Sequence, residues 1–376
     1  MQIAILGAGM VGRAMALDLA TKYQVTSFDV SGHALQLLTQ KNNSVKTIKA
    51  DLRDYSNYDL MLKGFDFVIS AVPGYMGYET LEAVINAKKN VVDISFFPEN
   101  ALELDDLAKE NHVTAIVDCG VAPGMSNLIL GFYNERMHIT NFDCLVGGLP
   151  KKRVYPFEYK APFSPIDVLE EYTRPARYVE NSHIITKPAL SDAELIDFDN
   201  AGTLESFNTD GLRSILFTMG HIPNMKEKTL RYPGHITLMQ GLIKAGFLSN
   251  TPVTVKGHQI TPMEFTSSLL FDQWKLGETE AEFTLMQINI TNAEKTIRYD
   301  LYDEYDASTE TSSMSRTTGY TCTAVLNMLI ENLFTEKGVF PPELIGKHEN
   351  CFNYILNYLK ERNIEYRKTE TKRTVN

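Results

Sequence analysis

Gly7-Ala8-Gly9-Met10-Val11-Gly12 follows directly on the apolar run Gln2-Ile3-Ala4-Ile5-Leu6, and Asp29 closes the next one, Val25-Thr26-Ser27-Phe28. A G-x-G-x-x-G triplet is a weak signal alone. Set between a strand and a helix, with an acid about 20 residues on, it marks a dinucleotide-binding βαβ unit. Gly7 permits the tight turn, Gly9 lets the backbone approach a pyrophosphate, and Gly12 lets the helix sit close to the strand. Met10 and Val11 open that helix, whose first free N–H groups face the phosphates. Asp29 stands 22 residues after Gly7, where a carboxylate accepts from a ribose 2′-OH. A carboxylate there repels a 2′-phosphate, so NAD is expected rather than NADP.

Outward from this unit, β-rich apolar runs recur at 2–6, 24–29, 45–50, 67–71, 90–93 and 114–118. Helical patterns lie between most of them, at 10–22, 78–88 and 99–111. Continuous apolar strands alternating with helices give an α/β fold, a doubly wound (Rossmann) parallel sheet covered on both faces. Ligands of such a sheet bind beyond the carboxyl ends of its strands. Those ends carry Asp29, Asp51, Ala71-Val72-Pro73, Asp93 and Asp118. Asp51 falls on the adenine side or caps a helix. Ala71, Val72 and Pro73 pass the nicotinamide ribose. Asp93 and Asp118 lie in or beside the site.

After Val121-Ala122-Pro123-Gly124 the pattern changes. Residues 140–310 read as a second, α+β unit with a mainly antiparallel sheet, including hairpins around Gly257-His258 and Asn292-Ala293-Glu294. Helical periodicity returns at 317–333 and 350–362, and the polar stretch 368–376 reads as frayed. The expected organisation is therefore a dinucleotide domain at 1–122, a substrate and dimerisation domain at 123–316, and C-terminal helices at 317–376 packing back on the first.

With 376 residues, 44% hydrophobic and 22% charged, the chain is that of a two-domain globular protein. Its net charge of −11 argues against a nucleic-acid surface. No apolar run reaches the roughly 18 residues of a membrane span, and the chain enters a strand at once, with no room for a signal peptide. A cytoplasmic location is expected. Cys119, Cys144, Cys322 and Cys351 form no C-x-x-C, and the 8 histidines are scattered. Reduced thiols and no metal are expected.

Asp118-Cys119-Gly120-Val121-Ala122-Pro123-Gly124-Met125 resembles the segment closing the dinucleotide domain of lysine 6-dehydrogenases, members of the saccharopine dehydrogenase family. Further matching segments follow in order: 146–150, 156–159, 171–176, 202–211, 229–235, 316–321 and 338–343. The resemblance implies a homodimer that oxidises L-lysine at C6 with NAD, giving 2-aminoadipate 6-semialdehyde and ammonia. The chain departs from those enzymes after the fifth strand, where Asp93-Ile94-Ser95-Phe96-Phe97 replaces a Gly-rich stretch. Phe96 and Phe97 are expected to line the nicotinamide region.

Removing a hydride from a carbon bearing an amine requires a neutral amine, close approach to the nicotinamide and a grip on the far end of the substrate. An α-carboxylate suits an arginine fork, and Arg231, Arg316 and Arg213 are the candidates, the first two standing in matching segments. Glu205 and Asp210 are available for the α-ammonium, although Asp210 could instead cap a helix. For the general base, His235 starts near the working pH, while Asp118 or Asp93 could reach it by desolvation.

One alternative is a saccharopine or carboxynorspermidine dehydrogenase-type reductive condensation using NADPH. A saccharopine-type site needs a second carboxylate site and hence more arginines. A short-chain dehydrogenase is disfavoured because no Tyr-x-x-x-Lys occurs. A non-catalytic NAD-binding regulator would carry a basic DNA-binding module, which this acidic chain lacks.

Overall fold

The computed structural model describes residues 1–373. The first six strands are β1 (Gln2–Leu6), β2 (Gln24–Asp29), β3 (Lys46–Lys49), β4 (Phe67–Ser70), β5 (Asn90–Asp93) and β6 (Thr114–Ile116). The second unit contributes β7 (Asn141–Pro150), β8 (Ala176–Glu180), β9 (His183–Lys187), β10 (Glu194–Phe198), β11 (Gly202–Asn208) and β12 (Asn224–Arg231). It continues with β13 (Val253–Val255), β14 (His258–Ile260), β15 (Glu282–Thr291) and β16 (Lys295–Glu304), and the C-terminal region adds β17 (Gly338–Phe340) and β18 (Tyr366–Lys372).

The first sheet runs β17-β6-β5-β4-β1-β2-β3, every pair parallel. This is the doubly wound order with one extra edge strand. Ile3, Ala4, Ile5 and Leu6 are all fully buried because helices cover both faces of β1. The edge strand β17, supplied from the C-terminal region, was not expected from the sequence. Three residues starting at a glycine give too short a pattern to read.

The second sheet runs β10-β11-β12-β7-β15-β16-β18, with β8 and β9 attached to β12. Most pairs are antiparallel, but β12 and β7 run parallel, so the sheet is mixed. The expected frayed end is corrected by β18, which pairs with β16 from Leu301↔Tyr366 to Lys295↔Lys372. Arg367, Lys368, Glu370 and Lys372 make it polar, as suits an edge strand that must not recruit further strands. Of that expected tail, residues 374–376 lie outside the described residues.

The helix Ser313–Ile330 lies against the glycine-motif helix Met10–Leu19. A Cβ at Gly319 would sit 3.1 Å from the Met15 side chain, so the two helices pack closely there. Asp18 on the first helix accepts from Thr323 (2.6 Å), Tyr358 (2.7 Å) and Arg362 (2.8 Å), joining the C-terminal helices to the dinucleotide sheet. The second sheet thus roofs the carboxyl ends of the first, and a cavity of about 780 Å³ opens between them.

Candidate active site

The outer end of the cavity is built from backbone. Gly7 has φ +111°, and a Cβ there would lie 2.4 Å from the Ala71 carbonyl oxygen. A Cβ on Gly12 would meet the Gly7 carbonyl at 2.2 Å. At Gly9 a Cβ would meet nothing within 4 Å, so the loop is open where a phosphate would approach. Met10, Val11, Ala71, Val72 and Pro73 line the same wall. Asp29 accepts from the Ala8 N–H (2.6 Å) and the Ser31 N–H (2.7 Å), which ties β2 to the glycine turn and leaves lone pairs for a ribose hydroxyl. Asp51 lines the cavity and pairs with Arg53 at 2.7 Å; that hydrogen bond holds its carboxyl down at about 2. These features fit a dinucleotide.

The inner end is built from buried charge. Asp118, Asp167, Glu171, Glu227 and Arg231 all line it. Asp167 and Glu171 stand one turn apart on the helix Pro165–Thr173, on the face turned to the cavity. Asp167 accepts from the Gly74 N–H at 3.2 Å, and burial pushes it up to about 7. Burial also raises Glu171 against the pull of Arg231, which donates to it at 3.1 Å. Glu227, 3% exposed, is pushed up to about 8 by burial. Asp118 is raised by burial although Arg213 donates to it at 2.8 Å.

Arg231 is 2% exposed and lies over the Tyr159 ring at 4.4 Å. It donates from Nε to the Tyr172 hydroxyl (2.9 Å), from Nη1 to the Leu230 carbonyl (3.0 Å) and from Nη2 to Glu171. A guanidinium has five N–H donors, so two remain for a carboxylate.

Several sequence expectations change at this end. His235 does not line the cavity. Its Nδ1 meets the Phe157 carbonyl (2.8 Å) and its Nε2 the Tyr172 hydroxyl (2.9 Å). A carbonyl only accepts, so Nδ1 carries the proton, and Nε2 accepts from a tyrosine that in turn accepts from Arg231. Burial, then Arg231, drives the imidazole down to about 3, so it stays neutral and fully engaged. It positions Arg231 and cannot reach a substrate as a base.

Arg316 is held by Asp303 (3.1 and 3.2 Å), Asp306 (3.1 Å) and the Arg362 carbonyl (3.1 Å), while its neighbours Met314 and Thr318 face the cavity instead. Arg213 is occupied by Asp118 and the Phe97 carbonyl, behind the wall. Asp210 binds Arg177 through both oxygens (2.9 and 2.8 Å), and Glu205 accepts from the Gly234 N–H (3.1 Å). None of these four lines the cavity. Asp93 is fully buried and accepts from the Ser95 N–H (3.1 Å) and hydroxyl (2.8 Å); burial lifts it to about 7. Asp93 does not line the cavity, although Ile94, Ser95 and Phe96 do. Phe97 also departs from expectation, being buried edge-on to Tyr78.

Asp167, Glu171 and Glu227 were missed. A signal existed for the last, because Glu227, Thr229 and Arg231 alternate along one strand. Among the described residues, no group of three or more His, Cys, Asp or Glu could hold a metal, and no helix is long and apolar enough to cross a membrane.

A pyridine-nucleotide turn under a mixed sheet, with buried charge at the inner end, defines a two-domain nucleotide-binding protein. The chain belongs to the saccharopine dehydrogenase family. Residues 3–116 match its "Saccharopine dehydrogenase NADP binding domain" and residues 120–364 its "Saccharopine dehydrogenase C-terminal domain". It is 23% identical over 294 residues to the mitochondrial alpha-aminoadipic semialdehyde synthase of Rattus norvegicus, covering 68% of this chain and 32% of that protein. It is 26% identical over 263 residues to the saccharopine dehydrogenase [NADP(+), L-glutamate-forming] of Pyricularia oryzae, covering 66% of this chain and 58% of that protein. Both matches therefore leave much of the relative unspanned. The apo saccharopine dehydrogenase (L-Glu forming) of Saccharomyces cerevisiae shares the fold, with TM-score 0.77, 20% identity, and 98% and 99% of the two chains covered.

Proposed function

We propose that the protein is an NAD-dependent oxidoreductase that deaminates the terminal amine of a basic amino acid, L-lysine foremost. The observation carrying this reading is the charge balance at the inner end, where three buried acids (Asp118, Asp167 and Glu227) and the partly buried Glu171 face the cavity with one arginine. Lysine brings more amino groups than carboxylates, and saccharopine the reverse. Asp118 pairs with Arg213 and Glu171 with Arg231, but Asp167 and Glu227 have no arginine partner among the described residues, and burying a further carboxylate beside them is costly, so this lining selects for ammonium groups. Arg231, with two free donors, takes the α-carboxylate, and Glu171 and Asp167 take the α-ammonium. The glycine turn, Asp29 and Ala71-Val72-Pro73 hold the dinucleotide, which supplies the two-electron acceptor for the C6–H bond. Water then adds to the imine carbon, releasing ammonia and the semialdehyde. The cytoplasmic location and the homodimer belong to the same reading.

The second reading is reductive condensation with NADPH, favoured by the names of the family domain and of the fungal relative. A substrate panel separates the two. We expect L-lysine with NAD to give the highest kcat/KM among lysine, ornithine, saccharopine and diamines, with one ammonia per NADH. Faster NADPH-dependent consumption of glutamate plus semialdehyde would replace the first reading by the second.

A further inference from the structure

We propose that Glu227 is the catalytic proton acceptor for the substrate's terminal ammonium, an assignment that rests on the amine-oxidation reading. Glu227, Thr229 and Arg231 stand on one face of β12 and line the cavity. The intervening residues point away: Lys228 Nζ reaches the Asp192 carbonyl at 2.7 Å, and Leu230 packs in a separate apolar cluster. The Cα atoms of Glu227 and Arg231 are thus about 13 Å apart along the strand. A basic amino acid whose carboxylate sits on Arg231 extends its chain toward Glu227.

Glu227 Oε2 is buried without a hydrogen-bond partner among the described residues. That is costly unless a ligand completes it. Gly211 keeps the space clear, since a Cβ there would lie 1.9 Å from Glu227 Oε1. The charged groups bearing on it are Glu171 from the helix Pro165–Thr173, Asp118 beyond β6, and Asp210 and Arg213 beyond β11. Cys144 is its register partner on β7.

In the step itself the ammonium N–H bond breaks and an O–H bond forms on Glu227, while the electron pair stays on nitrogen. Hydride loss leaves an iminium, whose hydrolysis gives the semialdehyde and ammonium, and the proton held by Glu227 leaves to solvent as the one net proton of the reaction. An ordinary glutamic acid lies roughly six pH units below an alkylammonium. Burial has moved Glu227 up to about 8, which shrinks that gap.

The test uses Glu227→Gln and Glu227→Asp in the full chain. With whichever amine the panel identifies, Glu227→Gln should lower kcat by about 10²–10⁴. It should also erase the limb of the kcat/KM profile near pH 8, with NADH binding by fluorescence unchanged. Glu227→Asp should lose less and shift that limb. A readout without turnover is the melting temperature of the ligand-free protein against pH. A carboxyl raised on folding contributes stability below its unfolded value, lost as pH rises through the folded one. Glu227→Gln should therefore gain on the wild type between pH 4.5 and about 8, with the gap level above.

Turnover of Glu227→Gln within about threefold of wild type, or a gap independent of pH, overturns the assignment. If Glu227→Gln does not fold, an unshifted limb in Glu227→Asp overturns it. Should another amine replace lysine while Glu227→Gln still collapses, the lysine reading falls and Glu227 stands. If no amine reduces NAD, both fall.

Discussion

The two ends of the cavity are made in opposite ways. The nucleotide end comes largely from one stretch, residues 7–29, and works through backbone N–H groups, absent side chains and the Asp29 carboxylate, with Asp51 beyond it. The inner end gathers Asp118, Asp167, Glu171, Glu227 and Arg231 from a loop beyond β6, a helix and β12, and works through buried charge. A backbone site is insensitive to most side-chain substitutions but intolerant at its glycines. A buried-charge site is the reverse, because each removed partner strands another charge.

The largest expected effect tests that contrast at its centre. Arg231→Met keeps the volume and removes the charge, leaving Glu171 without its arginine and the substrate without its fork. Losing one member of a buried pair costs about 3–5 kcal/mol. A fall of at least about 10³ in kcat/KM for the amino acid is expected. The KM for NAD should stay within about threefold. Equal losses for both substrates would show that the two ends are not independent.

Asp29→Ala probes the other end and should do less. Its carboxylate both lines the cavity and accepts from Ala8 and Ser31, so its loss loosens the turn without breaking β1 or β2. We expect KM for NAD to rise about tenfold to a hundredfold, about 1.4–2.8 kcal/mol, with relatively better use of NADP. Far-UV circular dichroism should be unchanged. NAD kinetics identical to wild type would refute the ribose assignment.

The same contrast explains what the sequence discloses. Strands β1, β2 and β5 can be read to the residue, because apolar runs bounded by turn residues encode a strand buried on both faces. The glycine turn is legible because its three positions are contiguous and each has a steric reason. At the inner end, residue type alone misleads. Arg316, Arg213 and Asp210 have the right chemistry but are already paired with Asp303, Asp118 and Arg177. Which acid pairs with which arginine depends on tertiary contacts at separations from 13 residues, for Arg316 with Asp303, to 95, for Arg213 with Asp118. No local pattern encodes that. Edge strands β17 and β18 were lost for a related reason, since short or charged edges lack the hydrophobic alternation that announces a strand.

The smallest effect is expected at the residue that sequence reasoning favoured most as the base. His235 is held between Tyr172 and the Phe157 carbonyl and driven down to about 3, so it stays a neutral imidazole and does not change protonation near neutral pH. His235→Gln replaces the imidazole by an amide that can also both donate and accept. We expect kcat within about threefold of wild type and the kcat/KM profile unmoved along the pH axis. The melting temperature should drop by roughly 2–4 °C for each kcal/mol of imperfect repacking. Because the imidazole also braces Tyr172 against Arg231, any kinetic loss should appear in the KM for the amino acid rather than in kcat. A profile that loses a limb in this variant would return the proton transfer to His235, and the distinction between a charged inner end and its neutral supports would have to be redrawn.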